Sequence, residues 1–218
     1  MNTLAGIEAQ TAPHFLSVFG AFHPEPADNV PDGTGTLILL GPAEPGFWPH
    51  VTAQPEWHDG APDPIDRWSS RVIGGIASRL GGRALYPSDG PPYWPFYQWA
   101  VRSNRAFASP VTLLVHDQAG LFVSYRGAIA LPERYELPAL PAISPCDTCV
   151  GKPCLTACPA TALTAKGYDL GACHTFLDTV DGEICLSLGC SVRRACPLSQ
   201  AYGRLPEQSA YHMGKFHK

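Results

Sequence analysis

C-D-T-C-V-G-K-P-C-L-T-A-C-P, residues 146–159, is the stretch on which the reading of this chain turns. Farther along stand Cys173, Cys185, Cys190 and Cys196-Pro197. All eight cysteines lie between positions 146 and 196, and none occurs in the first 145 residues. Thiols this dense divide the chain into an expected N-terminal domain over 1–140 and a cysteine module over 141–218.

Length and composition set the bounds. The chain of 218 residues, 45% hydrophobic, can bury a core in one large domain or two small ones. Its apolar run over 37–40 is too short for a bilayer, and M-N-T-L-A-G-I-E-A-Q lacks the basic and apolar regions of a signal peptide. A cytoplasmic protein without membrane partners is the expectation. In that compartment clustered cysteines bind metal or do redox chemistry more often than they form disulfides. The net charge of −4 is unevenly divided. Residues 1–144 hold 8 Arg, no Lys and 13 Asp or Glu, whereas 145–218 hold 7 basic and 6 acidic residues. An acidic, lysine-free first part argues against a nucleic-acid partner.

Three readings of the cysteines compete. Disulfides fit poorly with a chain lacking an export signal. Zinc, in a zinc-stabilised binding module, suits any C-x2-C, but ribbons usually carry two such pairs and only Cys146/Cys149 qualifies here. Iron–sulfur ligation explains more. The bacterial ferredoxin run is C-x2-C-x2-C-x3-C-P, whose fourth Cys serves the other cluster. Here the spacing is Cys146-x2-Cys149-x4-Cys154-x3-Cys158-Pro159, and Cys185-x4-Cys190-x5-Cys196-Pro197 echoes its second part. Two halves exchanging their last cysteines predict one [4Fe-4S] cluster on Cys146, Cys149, Cys154 and Cys196. The other would use Cys158, Cys173, Cys185 and Cys190. His174, beside Cys173, is an alternative ligand or a supporting donor. Arg193 and Arg194 could offset cluster charge, or simply be solvated. Each Cys-Pro is read as a helix start: Pro159 leading into A-T-A-L-T-A-K, and Pro197 into L-S-Q-A-Y.

In the N-terminal part, 15–22 and 36–40 read as strands, the second as a continuous apolar run suited to burial on both faces. Residues 41–64, with six prolines, read as an irregular loop carrying Phe47, Trp48 and Trp57. The best helix spans 64–80: Asp63 is its expected N-cap, Pro64 its first residue, and Ile65, Trp68, Val72, Ile76 and Leu80 form one apolar stripe. Rings crowd into 93–99. Tyr93, Trp94 and Phe96, with Arg126, are candidate cofactor-binding residues for a flat ligand such as a cobalamin or flavin, although such clusters also simply pack. Residues 111–131 read as a β-hairpin turning at 117–120. Its second strand would place Phe122, Ser124 and Arg126 on one face, and Leu121, Val123 and Tyr125 on the other. Proline-stiffened residues 137–145 read as an extended connection.

The cysteine motifs, G-C at 189–190, A-C-P at 195–197 and H-D-Q-A-G-L-F-V-S-Y-R-G-A-I at 116–129 resemble the corrinoid and iron–sulfur reductase group. That group includes epoxyqueuosine reductase and the reductive dehalogenases. The chain as a whole, including its Q-A-Y-G-R-L-P-E-Q-S-A-Y-H-M ending, is similar to small alphaproteobacterial ferredoxin-like proteins. The resemblance implies an α+β molecule. Its N-terminal α/β domain would be of the flavin-reductase/nitroreductase or cobalamin-processing type, followed by a two-cluster ferredoxin-like module. The expected role is one-electron transfer to a redox protein partner or small-molecule acceptor; the alternative is a small reductase using a corrinoid or flavin.

Overall fold

A computed structural model describes residues 3–140 and 142–217. The protein is mixed α+β, with small antiparallel sheets. It divides into two compact units: residues 1–105 with 124–142, and residues 106–123 with 143–218. Residues 106–123 cluster with the cysteine-bearing part.

The first unit is built on a four-stranded antiparallel sheet. Strand β1 (Leu16–Phe22) pairs with β2 (Thr36–Pro42), which pairs with β6 (Gly127–Leu131), which in turn pairs with β3 (Arg83–Leu85). Every residue of β2 is buried, as its unbroken apolar run requires. Helix α1 (Leu4–Thr11) opens the unit, with the Thr3 side chain accepting the Gly6 N–H at its start.

Helix α4 (Pro64–Arg79) packs on β3 and β6 through Ile65, Trp68, Val72, Ile73 and Ile76, all buried. The helical spacing of these residues is what lets one face meet the sheet. Its start differs from expectation: Asp63 takes a left-handed backbone and makes no side-chain cap, so the fixed φ of Pro64 sets the entry. At its end the Gly82 N–H reaches Ala77 O at 2.8 Å.

The stretch 41–64 is not irregular throughout. It continues β2 to Pro42, then forms short helices α2 (Phe47–Thr52) and α3 (Pro55–His58). Aromatic burial organises them. Phe47 meets Trp68 edge-on with ring centroids 5.5 Å apart, and Trp48 meets Trp57 at 5.1 Å. The Arg67 guanidinium binds Asp59 at 2.6 Å and the carbonyls of Glu56 and Pro62, closing the loop over the helix start.

In the second unit, β4 (Ala106–Ala108) pairs with β5 (Leu114–His116), and β7 (Leu163–Thr164) with β8 (Gly167–Tyr168). Short helices follow: α6 (Leu170–Leu177), α7 (Glu183–Leu188), α8 (Ser191–Ala195), α9 (Pro197–Ala201) and α10 (Pro206–Phe216), with α7 and α10 in extensive contact. Val111, Val115, Leu121, Cys154, Leu163, Val192 and Cys196 form one buried core, with Cys146, Cys158 and Cys190 packed against it.

Two expectations fail here. The 111–131 hairpin does not form: the turn closes with mutual bonds between His116 and Gly120, but β5 takes β4 as partner and β6 joins the other unit's sheet. The backbone after the turn is engaged elsewhere. Ser199 Oγ accepts the Leu121 N–H at 2.9 Å, Arg193 donates to the Leu121 carbonyl, and Arg204 to that of Phe122 at 3.4 Å. Accordingly Leu121, Phe122 and Tyr125 are all buried and the two-face alternation is absent. Pro159 does not start a helix either. Thr161 turns left-handed, and buried Leu163 heads the β7–β8 hairpin. Burying Leu163 in the core outweighs the modest helix propensity of the threonine-containing run. Pro197 does open α9. The expected 137–145 connection includes residue 141, which lies outside the described residues.

Candidate metal centre

Four of the cysteines line one cavity of about 380 Å³: Cys146, Cys149, Cys154 and Cys196. They arrive on three stretches of chain. Cys146 sits in the turn at Pro145, where its N–H bonds Ser144 Oγ at 3.2 Å, and Cys149 follows just after that turn. Cys154 occupies a single 3₁₀ turn, Pro153–Leu155, entered through the left-handed Gly151 and Lys152. Cys196 precedes Pro197 at the start of α9. Val115, Leu121 and Leu198 supply apolar lining, and Thr148, Val150 and Lys152 stand at the same cavity. Cys154 and Cys196 are buried, while Cys146 and Cys149 are partly exposed. Burial pushes the Cys146 thiol above its usual range; the Ser144 hydrogen bond opposes this, and Cys154, Cys196 and Cys149 add to the rise. Burial also raises Cys154, reinforced by Cys196 and Cys149.

Cys158, Cys173, Cys185 and Cys190 form the other set. Cys158 Sγ accepts the Ala162 N–H at 3.2 Å. Cys173 lies on α6, its sulfur receiving the Tyr168 hydroxyl at 3.3 Å. Cys185, buried on α7, stands 3.3 Å from Ser191 Oγ, and Cys190 precedes α8. Burial raises the Cys173 thiol, the Tyr168 bond lowers it, and Cys190, Cys158 and Cys185 raise it further. Tyr168 is itself pushed well above the ordinary tyrosine range, first by burial and then by Cys173. His174 turns to other partners: its Nδ1 is 2.8 Å from His217 Nδ1, and its ring stacks on Phe216. His217 in turn meets Asp178 at 3.0 Å.

A tetrahedral zinc site gathers its sulfurs about 2.3 Å from a single ion. Among the described residues, no three His, Cys, Asp or Glu side chains are arranged to hold one metal ion. A cluster in which every thiolate has its own iron asks for sulfurs set farther apart around shared space. Four cysteines around one cavity are chemically suited to that group, as soft donors in surroundings of low polarity.

The N-terminal candidates occupy varied surroundings. Tyr93 is 64% exposed. Trp94 stacks on Trp99 with centroids 5.9 Å apart, and Arg83 lies over its ring at 6.0 Å. Phe96 is buried on α5 (Phe96–Arg102), against Trp99 at 5.0 Å and Tyr125 at 6.2 Å. Arg126 pairs with Asp66 at 3.5 Å, and its N–H bonds Leu40 O.

Tyr168, Ser191 and Ser144, which touch the cysteines or their backbone, carried no spacing signal. Only their neighbourhood in the chain marked them. No helix among the described residues is long and apolar enough to cross a membrane. Comparison of the chain with models of protein families, with curated proteins and with solved structures finds no match.

Proposed function

We propose that this protein is an electron carrier with two [4Fe-4S] clusters, one on Cys146, Cys149, Cys154 and Cys196 and the other on Cys158, Cys173, Cys185 and Cys190. Such clusters take up and release single electrons, so the molecule would pass electrons to a redox protein or a small acceptor in the cytoplasm. The observation that carries the reading is the cavity lined by Cys146, Cys149, Cys154 and Cys196. Three of these residues come from one motif and the fourth from the Cys-Pro of the other, as expected when two ferredoxin-like halves exchange their last ligand. The rise that Cys190, Cys158 and Cys185 add to the Cys173 thiol supports the complementary set. The chain's part is to supply thiolates, exclude bulk water with Val115, Leu121 and Leu198, and present N–H and O–H donors to sulfur.

The test is anaerobic purification followed by iron and sulfide analysis and electron paramagnetic resonance of the reduced protein. About eight irons per chain and two interacting paramagnets are expected for two four-iron clusters. A colourless protein carrying zinc, or none of these metals, would refute the proposal.

A further inference from the structure

Cysteines apart, three polar residues stand in the wall of the cavity that Cys146, Cys149, Cys154 and Cys196 line: Ser109, Thr148 and Lys152. Thr148 is exposed and Lys152 partly so, and both can be hydrated. Ser109 is 8% exposed. It sits in the turn between β4 and β5, where its N–H bonds Leu113 O at 2.8 Å and its carbonyl accepts the Thr112 N–H at 3.0 Å. Its backbone is therefore satisfied and held in place. Its Oγ is buried and has no hydrogen-bond partner among the described residues.

A buried hydroxyl left unpaired is unfavourable, and native interiors keep few of them without a use. Apart from cysteine sulfur, the wall around Ser109 is largely apolar, with Pro110, Val115 and Leu121 contributed by the same segment of chain. A neutral thiol accepts a hydrogen bond weakly, whereas thiolate and sulfide, being charged, accept strongly. The other cysteine set shows a serine already in this position. Ser191 Oγ lies 3.3 Å from Cys185 Sγ and accepts from Arg194 at 3.1 Å, which leaves its own proton for the sulfur.

Resting on the two-cluster reading above, we propose that Ser109 is a hydrogen-bond donor to a sulfur of the cluster held by Cys146, Cys149, Cys154 and Cys196, and that it raises the reduction potential of that centre. A hydrogen bond to a cluster sulfur favours the reduced form, which carries the extra negative charge. Ser109 is thus a positioning and tuning residue supplied by the 106–123 segment, and not a ligand.

The experiment compares wild type, Ser109→Ala and Ser109→Thr as full chains, by iron content, potentiometric titration followed by electron paramagnetic resonance, and resonance Raman spectroscopy. In Ser109→Ala, at a fixed potential, the reduced-to-oxidised ratio of the centre that Cys196→Ala abolishes should fall about fivefold, a shift of about 40 mV at 59 mV per tenfold for a one-electron couple. The other centre should stay in place, and Ser109→Thr, which keeps the hydroxyl, should restore the first. A Raman shift confined to the iron–thiolate bands would name a cysteine sulfur as acceptor, and one in the bridging bands an inorganic sulfide; no shift in either would overturn the bond. Full iron in Ser109→Ala with both midpoints unmoved, moved alike, or only the other one moved would also overturn it. If Ser109→Ala loses half its iron and Ser109→Thr keeps all of it, the need for the hydroxyl is upheld; half the iron in both would refute it. Absence of iron from wild type would instead refute the cluster reading, so the two failures are distinguishable.

Discussion

Gly120 offers a quantitative test of how the 106–123 segment is tied to the cysteine-bearing unit. Its φ is +56°, the left-handed region, where an L side chain costs roughly 1–2 kcal/mol. A Cβ there would also run into the Ser199 backbone nitrogen, approach Ser199 Oγ to 2.6 Å and reach 3.0 Å from the Leu198 carbonyl carbon. Relieving that overlap would shift α9, where Ser199 Oγ holds the Leu121 N–H at 2.9 Å. Overpacking of this kind typically costs about 1–3 kcal/mol. Gly120→Ala should therefore destabilise the unit by roughly 2–5 kcal/mol. Gly151→Ala is the matched control: same unit, φ of +73°, and nothing within 4 Å of the added Cβ. It should lose only the conformational part, about 1–2 kcal/mol. With a urea dependence of about 2 kcal/mol per molar, Gly120→Ala should lower the midpoint by ~1–2.5 M and Gly151→Ala by at most ~1 M. Urea unfolding of both variants, followed by circular dichroism under the same anaerobic conditions, makes the comparison. Equal losses, within about 0.5 kcal/mol, would mean that the close approach to Ser199 does not exist.

Other perturbations test separate parts. Cys196→Ala and Cys185→Ala should each remove about half the bound iron by abolishing different centres, and the double variant nearly all of it; iron analysis reads this directly. Ser199→Ala should cost about 1–3 kcal/mol by leaving the buried Leu121 N–H without its acceptor, readable as a lower urea midpoint. Trp68, fully buried on α4, should cost about 3–5 kcal/mol when cut to alanine, with loss of the first unit's near-ultraviolet signal. His14 and His50 are held below the ordinary histidine pKa, both chiefly by burial, then His14 by His50, Arg79 and Arg71, and His50 by Arg71. A base with a lowered folded pKa binds fewer protons folded than unfolded in the window between the two values. Stability should therefore fall as pH drops through about 6.5 towards the folded pKa. His50→Gln should flatten that slope in urea midpoints taken from pH 8 to 5.5.

The particular elements show which readings were legible. Helix α4 was readable because its apolar residues recur at helical spacing, and β2 because an unbroken apolar run admits little but burial on both faces. The helix predicted after Pro159 was not, since a short run of Ala, Leu and Thr suits helix or strand and the decision fell to Leu163 entering the core. The 111–131 hairpin failed for a similar reason. Its turn is local and formed, but strand pairing is a contest among partners, won by β4 for one arm and by β2 and β3 for the other. Trp94, Phe96 and Arg126 stood out in the sequence as a group; their surroundings are Trp99, Tyr125 and Asp66.

By itself, the sequence determined that eight thiols fall in one segment and that their spacing repeats with a Cys-Pro at the end of each half. Those properties are local, so chain order expresses them. Only the tertiary structure decided that Cys196 shares a cavity with Cys146, Cys149 and Cys154, that Tyr168 reaches Cys173, and that Arg193 donates to the Leu121 carbonyl while Arg194 turns to Gly189 and Ser191. Such contacts join residues far apart in the chain or depend on which side of a short helix faces inward. They arise from packing around Val192, Leu121 and Leu163, a competition among many apolar groups that no single stretch of residues encodes.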